Sequence, residues 1–232
     1  LAERLLRAEA RYFRETLGTN SVVMARDARL TGPAYLEQGI RIFTELGFKV
    51  YANPRVSSSC QYYFSCMRHP EAAGIMFGAS HNPGQHTGQK VVGPKVFPIA
   101  EEIGEKGGLK EIRRIYEADA GLREPVPGGE LHLIDDLKEY LAYSMALSGV
   151  QPGSLRGCRI LMDFLHGAAG EEFLMAFDLA GATVTARNLV PDGHFPAGDP
   201  NPVVPASVAG ALAELKAGNY HFAMLFDGDG DR

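Results

Sequence analysis

Apolar residues recur along this chain in two alternating rhythms, one with helical spacing and one in short unbroken runs. Leu5, Ala8, Tyr12 and Phe13 share one helical face and predict a helix over 3–17. Val22-Val23-Met24-Ala25 reads as a buried strand. Pro33 suits the first turn of a helix over 33–46, where Leu36, Ile40 and Phe43 lie on one side and Gly47 ends the run. Lys49–Ala52 predicts the next strand, 58–68 a helix, and Ala72–Phe77 a buried strand. Gln89–Val92 fits a short return strand, and helical stretches are expected near 99–105 and 109–117. Pro125-Val126-Pro127-Gly128-Gly129 is the clearest linker. A helix is expected over 133–147 from Ile134, Leu137, Leu141 and Leu147, closed by Gly149 and Pro152-Gly153.

The alternation then restarts. Arg159–Met162 and Thr183–Ala186 read as strands around a helix over 169–180 that turns Phe173 and Phe177 inward. A proline-rich crossover (191–205) leads to a helix carrying Val208, Leu212 and Leu215, and His221–Phe226 is a last apolar strand. This order predicts an α/β protein: two consecutive three-layer α/β domains with mixed sheets covered by helices, spanning 1–149 and 150–232. In such folds sites form where strands end.

Composition narrows the function classes. The 232 residues are 45% apolar and 22% charged, as in ordinary globular proteins. A net charge of −5 with no Lys/Arg run argues against nucleic acid as a partner. No apolar run approaches the roughly 18 residues of a membrane span, and no signal-peptide pattern opens the chain. Cys60, Cys66 and Cys158 lack metal-ligand spacing and read as reduced thiols of a cytoplasmic protein. A start at Leu1 and an end at Arg232, inside a polar motif, suggest a piece of a longer chain.

Two polar loops carry the chemistry, each directly after an apolar strand. In Gly78-Ala79-Ser80-His81-Asn82-Pro83, small residues allow a tight turn, so the Ser80 hydroxyl can be held out as a nucleophile or phosphate carrier. His81 either moves protons or positions the loop and its phosphate. The spacing is not Gly-x-Ser-x-Gly, which argues against a hydrolase elbow. Lys90, ten residues on, offers an ammonium that could neutralise a phosphate or shuttle a proton. In Asp227-Gly228-Asp229-Gly230-Asp231-Arg232, alternating glycines let the backbone fold round a cation and aim three carboxylates at it. Mg²⁺ accepts a few carboxylates and shares its remaining positions with substrate oxygens. Arg232 presents a fork suited to phosphate. Together the loops suggest metal-assisted phosphoryl transfer. A calcium loop of EF-hand type would follow a helix and need a later glutamate. A phosphatase of haloacid-dehalogenase type would make an aspartate the nucleophile and leave Ser80 idle.

Ala79-Ser80-His81-Asn82-Pro83 with Lys90, followed by Asp227–Arg232, resembles the α-D-phosphohexomutase family of phosphoglucomutases and phosphomannomutases. Arg26-Asp27-Ala28-Arg29-Leu30 resembles that family's G-R-D-T-R-type segment, and Asp163 with His166-Gly167-Ala168 its D-x-x-x-G-type segment. Gly78 stands where threonine is common, and Thr87 where asparagine is usual. The resemblance implies the first two of four domains, with domains III and IV supplying sugar recognition. It implies that Ser80 is phosphorylated and that Asp227, Asp229 and Asp231 bind Mg²⁺ together with that phosphate. Arg232 would contact phosphate, Lys90 would serve in acid–base steps, and His81 and Asn82 would shape the loop. The implied reaction exchanges a phosphoryl group between phosphoserine and a hexose 1- or 6-phosphate through a hexose 1,6-bisphosphate. A non-catalytic sugar-phosphate-binding relative and a metal-dependent phosphatase are the competing expectations.

Overall fold

The first helix, α1 (Ala2–Glu15), turns Leu6, Tyr12 and Phe13 onto a sheet that the next strands build. The computed structural model describes residues 1–232. After α1 come β1 (Ser21–Arg26), α2 (Gly32–Glu45), β2 (Lys49–Val56), α3 (Ser59–Arg68), β3 (Ala73–Gly78), β4 (Gly88–Gly93), β5 (Phe97–Pro98), α4 (Leu109–Glu117), β6 (Glu130–Leu133) and α5 (Leu137–Ser148). Six strands make one mixed sheet in the order β5-β4-β3-β1-β2-β6, with β4 antiparallel to β3 and to β5 and the other pairings parallel. Side chains alternate across it. Val22, Met24, Val50, Ala52, Ile75 and Phe77 join the core beneath α1, α2 and α4. Val23, Ala25 and Met76 face the other way and meet Tyr62 and Cys66 of α3. Helices therefore cover both faces, the expected three layers.

The second unit contains β7 (Arg159–Asp163), α6 (Gly170–Leu179), β8 (Thr183–Arg187), α7 (Pro205–Ala217) and β9 (Phe222–Leu225). Its sheet, β8-β7-β9, is parallel throughout, so the antiparallel component lies in the first sheet. Ile160 and Met162 pack with Phe173 and Phe177 of α6, and Phe226 lies 4.3 Å from Phe173 between ring centroids. Helix α5 bridges the units by touching both α3 and α6. No helix is long and apolar enough to cross a membrane.

Two local expectations are corrected. No α-helix forms over 99–105: the chain makes isolated bridges Ala100–Ile103 and Glu101–Gly108 and a 3-10 turn at Glu105–Gly107. Positive φ at Glu102 (66°) and Gly104 (116°) breaks the helical path. The helix expected from 133 begins at Leu137, because residues 130–133 extend the sheet as β6 beside β2. Gly129 permits this docking; a Cβ there would lie 2.0 Å from the Thr44 carbonyl oxygen. Glu130-Leu131-His132-Leu133 alternates polar and apolar, but over four residues only, and all four are exposed.

Candidate active site between two loops

The parallel strands deliver four polar segments to one place. β1 ends at Arg26 and runs into Asp27 and Arg29, β2 into Ser57-Ser58-Ser59, β3 into the Ser80 loop, and β9 into the aspartate loop. The loops around Ser80 and Asp227, 147 residues apart, meet directly: the Ser80 hydroxyl donates to Asp227 Oδ2 at 2.8 Å. Gly228 makes the approach possible, since a Cβ there would stand 2.5 Å from the Ser80 carbonyl oxygen. Ser80 itself has φ 50°, a left-handed conformation that a non-glycine residue holds only when its surroundings enforce it.

Arg232 closes the same corner. Its Nη2 donates to Ser80 Oγ at 2.5 Å and also meets His81 Nδ1, while its Nε donates to Asp227 Oδ2 at 3.2 Å. His81 Nδ1 is 3.4 Å from Ser80 Oγ, placing the imidazole at the edge of the serine hydroxyl. Asn82 is exposed and contributes through its backbone, its N–H bonding the Ala79 carbonyl at 3.0 Å.

Asp227 and Asp229 are buried and Asp231 is exposed; one carboxylate oxygen from each lies within 4.8 Å of the others. Like charges this close repel by about 4 kcal/mol per pair at 4 Å in a partly screened site, so cations must gather round them. Lys90 Nζ supplies one, at 2.7 Å from Asp229 Oδ2 and 2.5 Å from Asp231 Oδ2. Burial pulls the Lys90 ammonium towards its neutral form, but the hydrogen bonds and charges of Asp229 and Asp231 outweigh that and raise its pKa. As placed, Lys90 is a counter-charge to Asp229 and Asp231. Burial likewise pushes Asp229 up, and Lys90 and Ser59 bring it below the ordinary carboxylate range. Asp227 moves up, through burial first and the Asp229 charge second.

The donor set fits a hard divalent cation. Three carboxylates face two cationic side chains, and Asp229 Oδ1 is buried without a hydrogen-bond partner. An all-oxygen cluster with one carboxylate oxygen unsatisfied is what Mg²⁺ or Ca²⁺ selects.

Sequence reasoning assigned no role to two further residues. Ser59, at the start of α3, donates to Asp229 Oδ2 at 2.7 Å, accepts from Lys90 Nζ at 2.8 Å, and bonds the Asp229 carbonyl through its own N–H at 2.9 Å. The run of three serines after a strand signals a helix cap, but nothing in it points to a partner 170 residues away. Arg29 is 1% exposed and reaches the serine loop from below. Its segment stood out by resemblance only.

With a serine hydroxyl, a carboxylate cluster and two cations in contact, the arrangement can stabilise charge on a phosphoryl group. The family models for phosphoglucomutase/phosphomannomutase alpha/beta/alpha domain I and alpha/beta/alpha domain II match residues 1–119 and 138–232. A phosphomannomutase of Escherichia coli is 30% identical over 228 residues, covering 96% of this chain and 49% of its own. A phosphoglucosamine mutase of Magnetococcus marinus is 28% identical, with 100% of this chain and 47% of its own covered. In fold, a phosphoglucomutase/phosphomannomutase family protein of Burkholderia thailandensis superposes with a TM-score of 0.83 at 24% identity, over all of this chain and 49% of that one. The parafusin of Paramecium superposes at 0.74 and 18% identity, over all of this chain and 48% of its own. This chain thus spans about half the length of the relatives it matches.

Proposed function

Since this chain belongs to the phosphoglucomutase/phosphomannomutase family, we propose that it forms the phosphoryl-transfer half of a hexose-phosphate mutase site, with Ser80 as the carrier. The observation that supports this most is the Ser80–Asp227 hydrogen bond, which joins the two chemical loops across the two sheets. In the forward step the phosphoserine P–Oγ bond breaks as a hexose-phosphate hydroxyl oxygen bonds to phosphorus, and the proton that the hydroxyl gives up is balanced by the one that Ser80 Oγ takes up. The product is a hexose 1,6-bisphosphate and free Ser80. After the sugar reorients, its other phosphate returns to Ser80 and the isomeric monophosphate leaves.

Each residue has a part in that cycle. Arg232, bonded to Ser80 Oγ and to Asp227, orients the phosphoryl oxygens and stabilises their charge. Lys90, held by Asp229 and Asp231, serves in acid–base steps or counters phosphate charge. His81 and Asn82 shape the loop. Asp227, Asp229 and Asp231 would hold Mg²⁺, which supplies charge neutralisation beside the phosphoryl group. Sugar choice falls to domains III and IV.

The direct experiment uses the full-length protein and interconversion of hexose 1- and 6-phosphates. Ser80→Ala is expected to abolish turnover while the unfolding midpoint stays put, and chelation of divalent cations is expected to stop wild-type turnover until Mg²⁺ is restored. Near-normal activity in the serine variant would eliminate the carrier role. Release of inorganic phosphate without the isomeric sugar would indicate a phosphatase.

A further inference from the structure

We propose that Arg29 is a positioning residue for Ser80, a guanidinium clamp that sets the path of the whole serine loop. The side chain is 1% exposed, and every one of its N–H donors has a partner. Nε donates to Asp27 Oδ2 at 3.1 Å. Nη1 donates to the carbonyls of Pro83 (2.8 Å) and His86 (2.9 Å), and Nη2 to those of Ser80 (3.1 Å) and Asn82 (2.6 Å). One planar group therefore gathers four carbonyls from a single loop. Asp27 completes the unit by accepting the Arg29 N–H at 3.0 Å and the Ala79 N–H at 3.2 Å, so the loop is held at its entry as well as beneath.

The clamp explains the conformation of Ser80. Its left-handed backbone costs on the order of 1–2 kcal/mol and persists only where neighbouring contacts over-determine it. Fixed carbonyls at Ser80 and Asn82 leave the intervening peptides little freedom and so aim Oγ at Asp227 and Arg232. A lysine could not substitute, because an ammonium has three donors on a flexible stem and cannot span four carbonyls in one plane. The second unit shuts the clamp from outside. The ring centroid of buried Phe195 lies 5.4 Å from the guanidinium carbon, and Gly193 packs so close that a Cβ would be 2.5 Å from the Leu30 nitrogen. Ser80 geometry is thereby tied to the loop contact between the two units.

The role rests on the mutase reading only for its activity readout. In the full-length protein, Arg29→Lys is expected to lower kcat on the order of 10²-fold, as displacement of a reacting group by about an ångström does. KM for glucose 1-phosphate or mannose 1-phosphate should stay nearly unchanged. Amide hydrogen exchange over 79–88 should accelerate while the strands keep their protection. Wild-type kcat with an unchanged exchange pattern would overturn the proposal. Should Arg29→Lys not fold, the wild-type arginine resonances decide: separate, exchange-protected Nη signals for Arg29 are expected, and averaged, freely rotating ones would refute the clamp. If the wild-type protein isomerises no hexose phosphate, the mutase reading fails by itself, and exchange and resonances still judge the clamp.

Discussion

At Gly78 the side chain that is missing carries the information. A Cβ there would lie 2.7 Å from Asp27 Oδ2 and 2.9 Å from Asp27 Cγ, inside any tolerable contact. The Asp27 carboxylate needs that space to reach the Ala79 N–H and the Arg29 guanidinium. Gly78→Ala is therefore expected to destabilise the protein by roughly 1–3 kcal/mol, as overpacking of a buried site does, read as a lower denaturant midpoint with an unchanged slope. The sequence flagged this glycine as a departure from the family pattern but gave no reason for it. The reason is a carboxylate 51 positions earlier in the chain, visible only when β1 and β3 lie side by side.

Helix α1 illustrates the same limit at the scale of an element. Its apolar spacing predicted the helix and most of its buried face: Ala8, Tyr12 and Phe13 lie there, Leu5 is half-buried, and Leu6, outside the predicted set, is fully buried. That face also carries Glu9, 1% exposed, with Oε2 lacking any partner. Burial raises the Glu9 pKa from an ordinary 4.5 to about 8, and the nearby Gln89 amide offsets part of the effect. The folded state thus holds a proton that the unfolded chain releases at lower pH. Stability from this group is full below about 4.5 and is lost as pH rises through about 8. Glu9→Gln should remove that slope, making the variant more stable than wild type above pH 8 by an amount on the order of a few kcal/mol, measured by chemical denaturation across the range. β6 shows the opposite case. Its four residues alternate polar and apolar but are all exposed, and it is the β2 edge and the Gly129 docking that make them a strand.

For the whole molecule the decisive contact is between loops. Gly228 sets how closely they approach: a Cβ would meet the Ser80 carbonyl oxygen at 2.5 Å and Pro200 at 3.1 Å. Gly228→Ala is expected to push the serine and aspartate loops apart while sparing both sheets. Mutase turnover of the full-length variant should then fall on the order of 10²-fold, and far-ultraviolet circular dichroism should remain that of wild type. A variant with normal turnover would show that Ser80 and Asp227 need not touch. Another link between the units runs from the Ser58 hydroxyl to Glu172 Oε2 at 2.8 Å. Burial raises the Glu172 carboxyl to about 7, against the opposing pull of Ser58.

Local pattern was enough to read the order of most strands and helices, the two α/β units and the two loops with their reactive groups, because apolar period and turn residues act over a few positions. It also brought Ser80, Lys90, Asp227, Asp229, Asp231 and Arg232 to notice, since each stands where an apolar strand gives way to polar residues or in the short stretch beyond it. What it could not supply was the pairing of those groups. Lys90 on Asp229, Ser59 between them, Asp227 on Ser80 and Arg29 beneath the loop depend on contacts between residues up to 170 positions apart. Such contacts form only when parallel strands bring their ends to one edge and glycines let backbones meet. Sequence thus determined which chemical groups would stand at or just beyond strand ends, and tertiary structure decided which of them touch, because distance in space is set by the packing of sheets and not by position along the chain.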